Sequence, residues 1–184
     1  MIVGVGGQGS LLASRLLGNV LLAQGYDVKV SEVHGMSQRG GDVQSNLRLS
    51  TGTIYSDLIP KGGCDMIISM EPMEALRYLP YLKQEGWIIT SSTPFVNIPN
   101  YPKLDTVMAD LNALPNVVAI DIEKLAKDNG VPRSANVILL GAAQKALGIE
   151  YDKLEEAIRR VFGRKGDAVV EANIKALALG RKQS

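Results

Sequence analysis

The chain has 184 residues, 46 % of them apolar and 21 % charged, enough for one packed domain spanning 1–184 and too little for two large ones. Lys and Arg number 20 against 19 Asp and Glu, for a net charge of +1, so nothing calls for nucleic acid or an anionic membrane surface, and the 5 % aromatic content argues against base stacking. One cysteine, Cys64, and one histidine, His34, exclude a disulfide framework, a thiolate cluster or a multi-histidine metal site built within the chain. The first residues lack a basic signal-peptide n-region and no apolar run approaches bilayer length, so the expected compartment is the reducing cytoplasm.

Ile2, Val3 and Val5 make a short buried strand ending in glycines. Ser10 to Gln24 carries a broad stripe of Leu and Val and predicts a helix stopped by Gly25. Tyr26 to Val33 alternates as a strand does, so the first 33 residues predict a βαβ unit with a parallel strand pair. His34 to Asp42 holds three glycines and no periodicity and is read as a loop. Val43 to Leu49 predicts a strand joined by a hairpin-like turn to Thr53-Ile54-Tyr55. Asp65–Met70, Gly86–Ser91, Val107-Met108 and Val117–Ile120 are further strand candidates, with a helix opening at Pro72 and a proline-bearing loop over 93–104. Beyond Asp121 the pattern is mostly helical, with Glu155–Arg159 and Glu156–Arg160 as i,i+4 pairs and a last helix stopped by Gly180. The fold class expected is α/β: a three-layer, Rossmann-like domain with a mixed, mostly parallel sheet and a helical C-terminal part.

Two stretches carry candidate chemistry. Gly4-Val5-Gly6-Gly7-Gln8-Gly9 matches the G-x-G-x-x-G pattern between a strand and a helix, with Glu32 closing the second strand where a ribose-binding acid would sit. This spacing fits a dinucleotide site, but it equally fits glycines that let strand and helix pack closely. No Tyr-x-x-x-Lys pair or other acid–base group accompanies it, as hydride transfer would need. The glycine run also resembles the nucleotide loop of ubiquitin-activating-type adenylating enzymes, without the acidic and arginine motifs that follow in those proteins. In the second stretch Arg39 offers a planar donor fork to a carboxylate or phosphate and His34 a group able to move a proton near neutral pH. The plainer reading is a solvated loop held by one arginine–backbone contact. Cys64 precedes an apolar strand and reads as a small buried hydrophobe. Asn136, in an apolar helix, reads as a structural hydrogen bond or as a polar contact to a partner.

Gly4–Gly9 with Leu12-Ala13-Ser14-Arg15, followed by Val30-Ser31-Glu32-Val33-His34-Gly35-Met36-Ser37-Gln38-Arg39-Gly40-Gly41, resembles the gamma domain of 2-oxoacid:ferredoxin oxidoreductases, and within them the small subunit of the indolepyruvate type. Ala75-Leu76-Arg77, the Asn136-to-Gly141 helix and Glu171-Ala172-Asn173 with Gly180 extend the likeness over nearly the whole chain. The resemblance implies a small subunit that binds no cofactor itself. Thiamine diphosphate and [4Fe–4S] clusters would lie on a large partner subunit, coenzyme A would be a co-substrate, and ferredoxin would be met only indirectly. It further implies that no residue here is catalytic. Gly6, Gly7, Gln8 and Gly9, with His34, Gly35, Met36, Ser37, Gln38, Arg39, Gly40 and Gly41, would form loops facing the partner and its active site. The alternatives are a free-standing nucleotide-binding enzyme using Gly4–Gly9, and a scaffold whose glycine loops only pack.

Overall fold

In the computed structural model, which describes residues 1–35 and 40–183, strand β1 (Ile2–Val5) is buried along its whole length. That is what a four-residue apolar run in the middle of a sheet requires. Helix α1 (Ser10–Ala23) follows, then β2 (Asp27–His34), β3 (Asp42–Ser50), β4 (Cys64–Ser69), α2 (Pro72–Arg77), β5 (Leu82–Ser91), α3 (Leu104–Asn112) and β6 (Val117–Ile120). The C-terminal part holds α4 (Ile122–Asp128), α5 (Ala135–Ala143), α6 (Tyr151–Phe162) and α7 (Asp167–Arg181). Among the described residues the strands form one six-stranded sheet in the order β2-β3-β1-β4-β5-β6. β3 pairs antiparallel with both β1 and β2, and the β1–β4, β4–β5 and β5–β6 pairs are parallel. The mixed, mostly parallel sheet of an α/β domain is therefore present.

Alternate residues of the strands feed two cores. Ile2, Met66, Ile68 and Ile89 pack with α1, α4, α5, α6 and α7 on one face, and Val3, Ile67 and Ile88 with α2 and α3 on the other. Every residue of α5 is buried, because α7 covers its outer side while the sheet covers its inner one. A helix apolar all round belongs in such a place.

The structure corrects several expectations. β1 and β2 run the same way but are not paired, since β3 turns back at the His34–Asp42 connection and lies between them. Thr53-Ile54-Tyr55 is not a strand. Residues 51–62 run irregularly, and their backbone is satisfied by side chains rather than a ladder: Ile54 N–H donates to Asp27 Oδ2 at 2.8 Å, Ile59 N–H to Asn46 Oδ1 at 3.3 Å, and Arg48 donates to the Ser56 carbonyl at 2.7 Å. Val107-Met108 lies in α3, where Val107 and Leu111, one turn apart, supply the buried stripe. Gly180 does not stop the last helix but lies inside α7, buried. The expected i,i+4 pairs give way to links between helices: Arg159 reaches Glu171 on α7 at 3.1 Å, and Arg160 the Asn19 carbonyl on α1 at 3.1 Å. Cys64 is buried and free, as read from the sequence.

Candidate functional site

The parallel strands β1, β4, β5 and β6 end at one edge of the sheet, the edge at which open α/β sheets place their sites. Both glycine stretches lie there, because Asp42 at the start of β3 is level with Val5 at the end of β1.

The first loop is closed from within. Gln8 folds back so that its Oε1 accepts from Val5 N–H at 2.8 Å while its Nε2 donates to the Met70 carbonyl at 3.2 Å. Gly9 begins α1 with φ 90°, a left-handed backbone that favours glycine. A Cβ there would also lie 2.4 Å from Asn136 Nδ2, which donates to the Gly9 carbonyl at 3.4 Å. Asn136 thus makes a structural hydrogen bond, one of the two roles that its place in an apolar helix suggested.

The second loop joins the first through backbone. Gly6 N–H donates to the Gly41 carbonyl at 2.8 Å and Gly40 N–H to the Gly6 carbonyl at 3.3 Å. Asn97 Nδ2, from the loop after β5, donates to the Gly40 carbonyl at 2.5 Å, and Tyr78 OH donates to Asp42 Oδ2 at 2.8 Å. His34 and Gly35 are exposed at the end of β2, with the His34 ring 3.1 Å from the Gly35 carbonyl. Met36, Ser37, Gln38 and Arg39 lie outside the described residues. Of the residues singled out from the sequence, the structure therefore brings Gly6, Gly40 and Gly41 into direct contact, with Gly7, Gln8 and Gly9 continuing the same rim.

The same geometry takes the dinucleotide pattern apart. Glu32 is paired with Ser45, and Ser45 with Ile2, so Glu32 is level with the start of β1 and two strands away. Strand spacing and rise put it about 10 Å across and about 10 Å back from Val5. The Gly6 amide, which such a loop would turn toward a phosphate, is given to Gly41. Calorimetric titration with NAD is expected to show no binding tighter than about 100 μM; a dissociation constant near 1 μM, about −8 kcal/mol, would restore the dehydrogenase reading.

Beneath the rim lies an acidic cluster that the sequence reading missed. Glu71, fully buried, caps α2: its Oε2 accepts from Glu74 N–H at 2.8 Å, and its Oε1 accepts from Phe95 N–H at 3.3 Å and from Tyr101 OH. Glu74 is buried too, and Arg77 Nε donates to its Oε1 at 3.1 Å. Burial, then the neighbouring Asp42 and Glu71 against the opposing pull of Arg77, pushes the Glu74 carboxyl up to about 7. Burial and the bond to Asp42 raise the Tyr78 hydroxyl, and burial and the bond to Glu71 raise that of Tyr101, so both stay protonated donors. The signal available in the sequence was Glu71-Pro72-Met73-Glu74, an acid, a proline and a second acid opening a helix straight after an apolar strand.

At the opposite edge a cleft of 520 Å³ opens between Ile2, Leu47, Cys64 and Leu147. Its charged groups are engaged, Arg48 with the Ser56 and Leu58 carbonyls and Lys83 with Asp65. Among the described residues no three His, Cys, Asp or Glu side chains are grouped to hold a metal, and no helix is long and apolar enough to cross a membrane.

Comparison with known proteins agrees with this architecture. The model of the pyruvate ferredoxin/flavodoxin oxidoreductase family matches residues 1–183, and the chain belongs to that family. It is similar to indolepyruvate oxidoreductase subunit IorB of Thermococcus kodakarensis, 38 % identical over 99 % of this chain and 93 % of the relative. The subunit of that name from Archaeoglobus fulgidus is 34 % identical over 100 % of this chain and 94 % of the relative. A solved gamma subunit of a keto/oxoacid ferredoxin oxidoreductase from Geobacter sulfurreducens superposes with a TM-score of 0.69 at 26 % identity, covering 99 % of this chain and 95 % of that one. A 2-oxoglutarate:ferredoxin oxidoreductase from Magnetococcus marinus shares the fold, with a TM-score of 0.77 at 20 % identity over 99 % of this chain and 30 % of that one.

Proposed function

We propose that this chain is the small subunit of a 2-oxoacid:ferredoxin oxidoreductase, binding no cofactor itself. In this reading it presents the rim made by Gly6–Gly9 and His34–Gly41 to a large subunit that carries thiamine diphosphate and [4Fe–4S] clusters. The observation that carries the reading is the backbone pairing of Gly6 with Gly40 and Gly41, which spends loop groups on building a shared rim rather than on holding a phosphate. Its single cysteine is buried and its single histidine exposed, so the chain offers no ligand set for a cluster. The names of its relatives point to an aryl 2-oxo acid such as indolepyruvate as substrate. The complex would decarboxylate it oxidatively to an acyl-CoA and CO2 and pass the electrons to ferredoxin. Thiamine diphosphate supplies the carbanion stabilisation that such a decarboxylation needs, and the clusters the path for electrons. This chain would contribute a shaped lid on that site and no reacting group.

The purified chain, given thiamine diphosphate, coenzyme A, indolepyruvate and a ferredoxin-like acceptor, is expected to show no turnover. Turnover is expected after co-expression with a thiamine-binding, cysteine-rich large subunit. Activity of the chain alone would refute the proposal. A co-expressed complex that prefers pyruvate or 2-oxoglutarate would leave the subunit role intact and overturn the aryl substrate.

A further inference from the structure

The loop between β5 and α3, residues 92–103, lies at the same sheet edge as the glycine rim and touches it. It is held along its length. Near its start Ser92 N–H donates to the Ile120 carbonyl at 2.9 Å and Thr93 Oγ1 to Asp121 Oδ1 at 3.0 Å. In its middle Phe95 N–H donates to Glu71 Oε1 at 3.3 Å and Asn97 Nδ2 to the Gly40 carbonyl at 2.5 Å. Towards its end Tyr101 OH donates to the same Glu71 oxygen. Glu71 is fully buried, so the carboxylate that caps α2 is held out of water with this loop as its second set of donors. What the loop carries nevertheless faces solvent: Phe95 is 41 % exposed and Val96 67 %. Single apolar side chains on a surface are ordinary. Two adjacent ones on a backbone fixed in this way differ, because little conformational freedom remains to be lost when they are covered. They are too small to hold a second copy of the chain by themselves, since a stable interface covers about 800 Å² of each partner. They suit an anchor inside a larger contact. The larger surface that adjoins them is the rim, for Asn97, next to Val96, is bonded to Gly40, and Gly40 to Gly6.

We propose that Phe95 and Val96 are the apolar anchor of the rim and seat in an apolar pocket of the large subunit. This rests on the partner-facing reading of the rim and adds a third loop to it. The glycine loops supply close backbone approach, and Phe95 and Val96 supply the water-free centre that such a contact needs, with the polar groups of the rim around it. The bonds from Phe95 and Tyr101 to Glu71 hold that anchor in place before the partner arrives.

The test is titration of the full chain into the large subunit, with Tm of the free chain measured alongside. Val96→Ser is expected to weaken association by roughly 10-fold, and Phe95→Ser with Val96→Ser together by more, while Tm of the Val96→Ser chain stays within about 1 °C, as for an exposed side chain. Tyr55→Ser is the control. Tyr55 is 95 % exposed and follows Ile54, which is bonded to Asp27 at the start of β2, the end of the sheet away from the rim. Its loss is expected to leave association at the wild-type level. Should the double variant not fold, Val96→Ser decides alone. Wild-type affinity in Val96→Ser, or an equal loss in Tyr55→Ser, would overturn the proposal and leave the small-subunit reading standing. A wild-type chain that does not bind the large subunit would overturn both. A free chain that sediments as a dimer, and as a monomer in Val96→Ser, would make a second copy the occupant and overturn the proposal as well.

Discussion

Gly180→Ala is expected to lower Tm by roughly 4–8 °C, although alanine is the better helix former. A Cβ at Gly180 would stand 1.8 Å from the Ile138 carbonyl oxygen, and one at Gly141, on the facing helix, 2.1 Å from the Leu177 carbonyl oxygen. α5 and α7 therefore touch backbone to backbone. The added methyl must push them apart by more than 1 Å, at the wall of a core that holds Ile138, Leu139, Leu140 and Leu177. Overpacking of this kind costs about 3 kcal/mol, the upper end of its usual range. Greater helix propensity returns about 1 kcal/mol. The clash wins, and the net of about 2 kcal/mol converts to the stated shift for a chain of this size. Gly163→Ala is the control. It has φ −52° and open space around a built Cβ, so its Tm should hold or rise slightly. A Gly180→Ala protein that melts at or above the wild-type temperature would mean that the helices do not approach so closely.

The same glycine shows where sequence reading reaches its limit. Gly past the last periodic residue of a helix ordinarily marks its end, and only the facing α5 reveals Gly180 as a contact point instead. The glycine rim was legible for the opposite reason. A strand, a G-x-G-x-x-G run and a helix are contiguous in the chain, so the local pattern fixes the local geometry. Sheet order was not legible, because the insertion of β3 between β1 and β2 depends on β3 pairing with β1 across roughly 40 residues of chain. Glu32 was misplaced by that one step. Glu71 and Glu74 escaped notice because two acids opening a helix normally face water, where they favour the helix dipole. Burial under the rim gives them another role, and burial comes from the 92–103 loop and β3, both distant in sequence.

Glu74 also gives stability a direction with pH. Its folded midpoint, about 7, lies above the ordinary 4.5, so the folded chain holds more protons than the unfolded one between these values. Stability from this group is complete below pH 4.5 and is lost as pH rises through 7, by at most about 3 kcal/mol.

Arg39→Ala is expected to weaken assembly with the large subunit, or to lower turnover of the complex, by roughly 10-fold or more, while Tm of the free chain stays within about 1 °C. Arg39 lies outside the described residues, but its surroundings fix the argument. On the described residues either side of it, β2 ends at His34 with Gly35 exposed, and the Gly40 backbone is bonded to Gly6 and Asn97. The rim that bears this segment is held by those backbone bonds and by Tyr78 on Asp42, none of which uses the Arg39 side chain. The large expected effect comes from the partner. A planar guanidinium paired with a carboxylate or phosphate across an interface forms charge-assisted bonds worth about 1.5–3 kcal/mol, and removing it costs at least tenfold in affinity. Arg39→Lys separates fork from charge: it keeps the charge but not the bidentate geometry, so its affinity should fall between those of wild type and Arg39→Ala. Melting curves of the free chain and titrations of the complex, made on the same three proteins, decide the matter. A large fall in Tm with normal assembly would make Arg39 a structural residue and remove the second glycine loop from the interface.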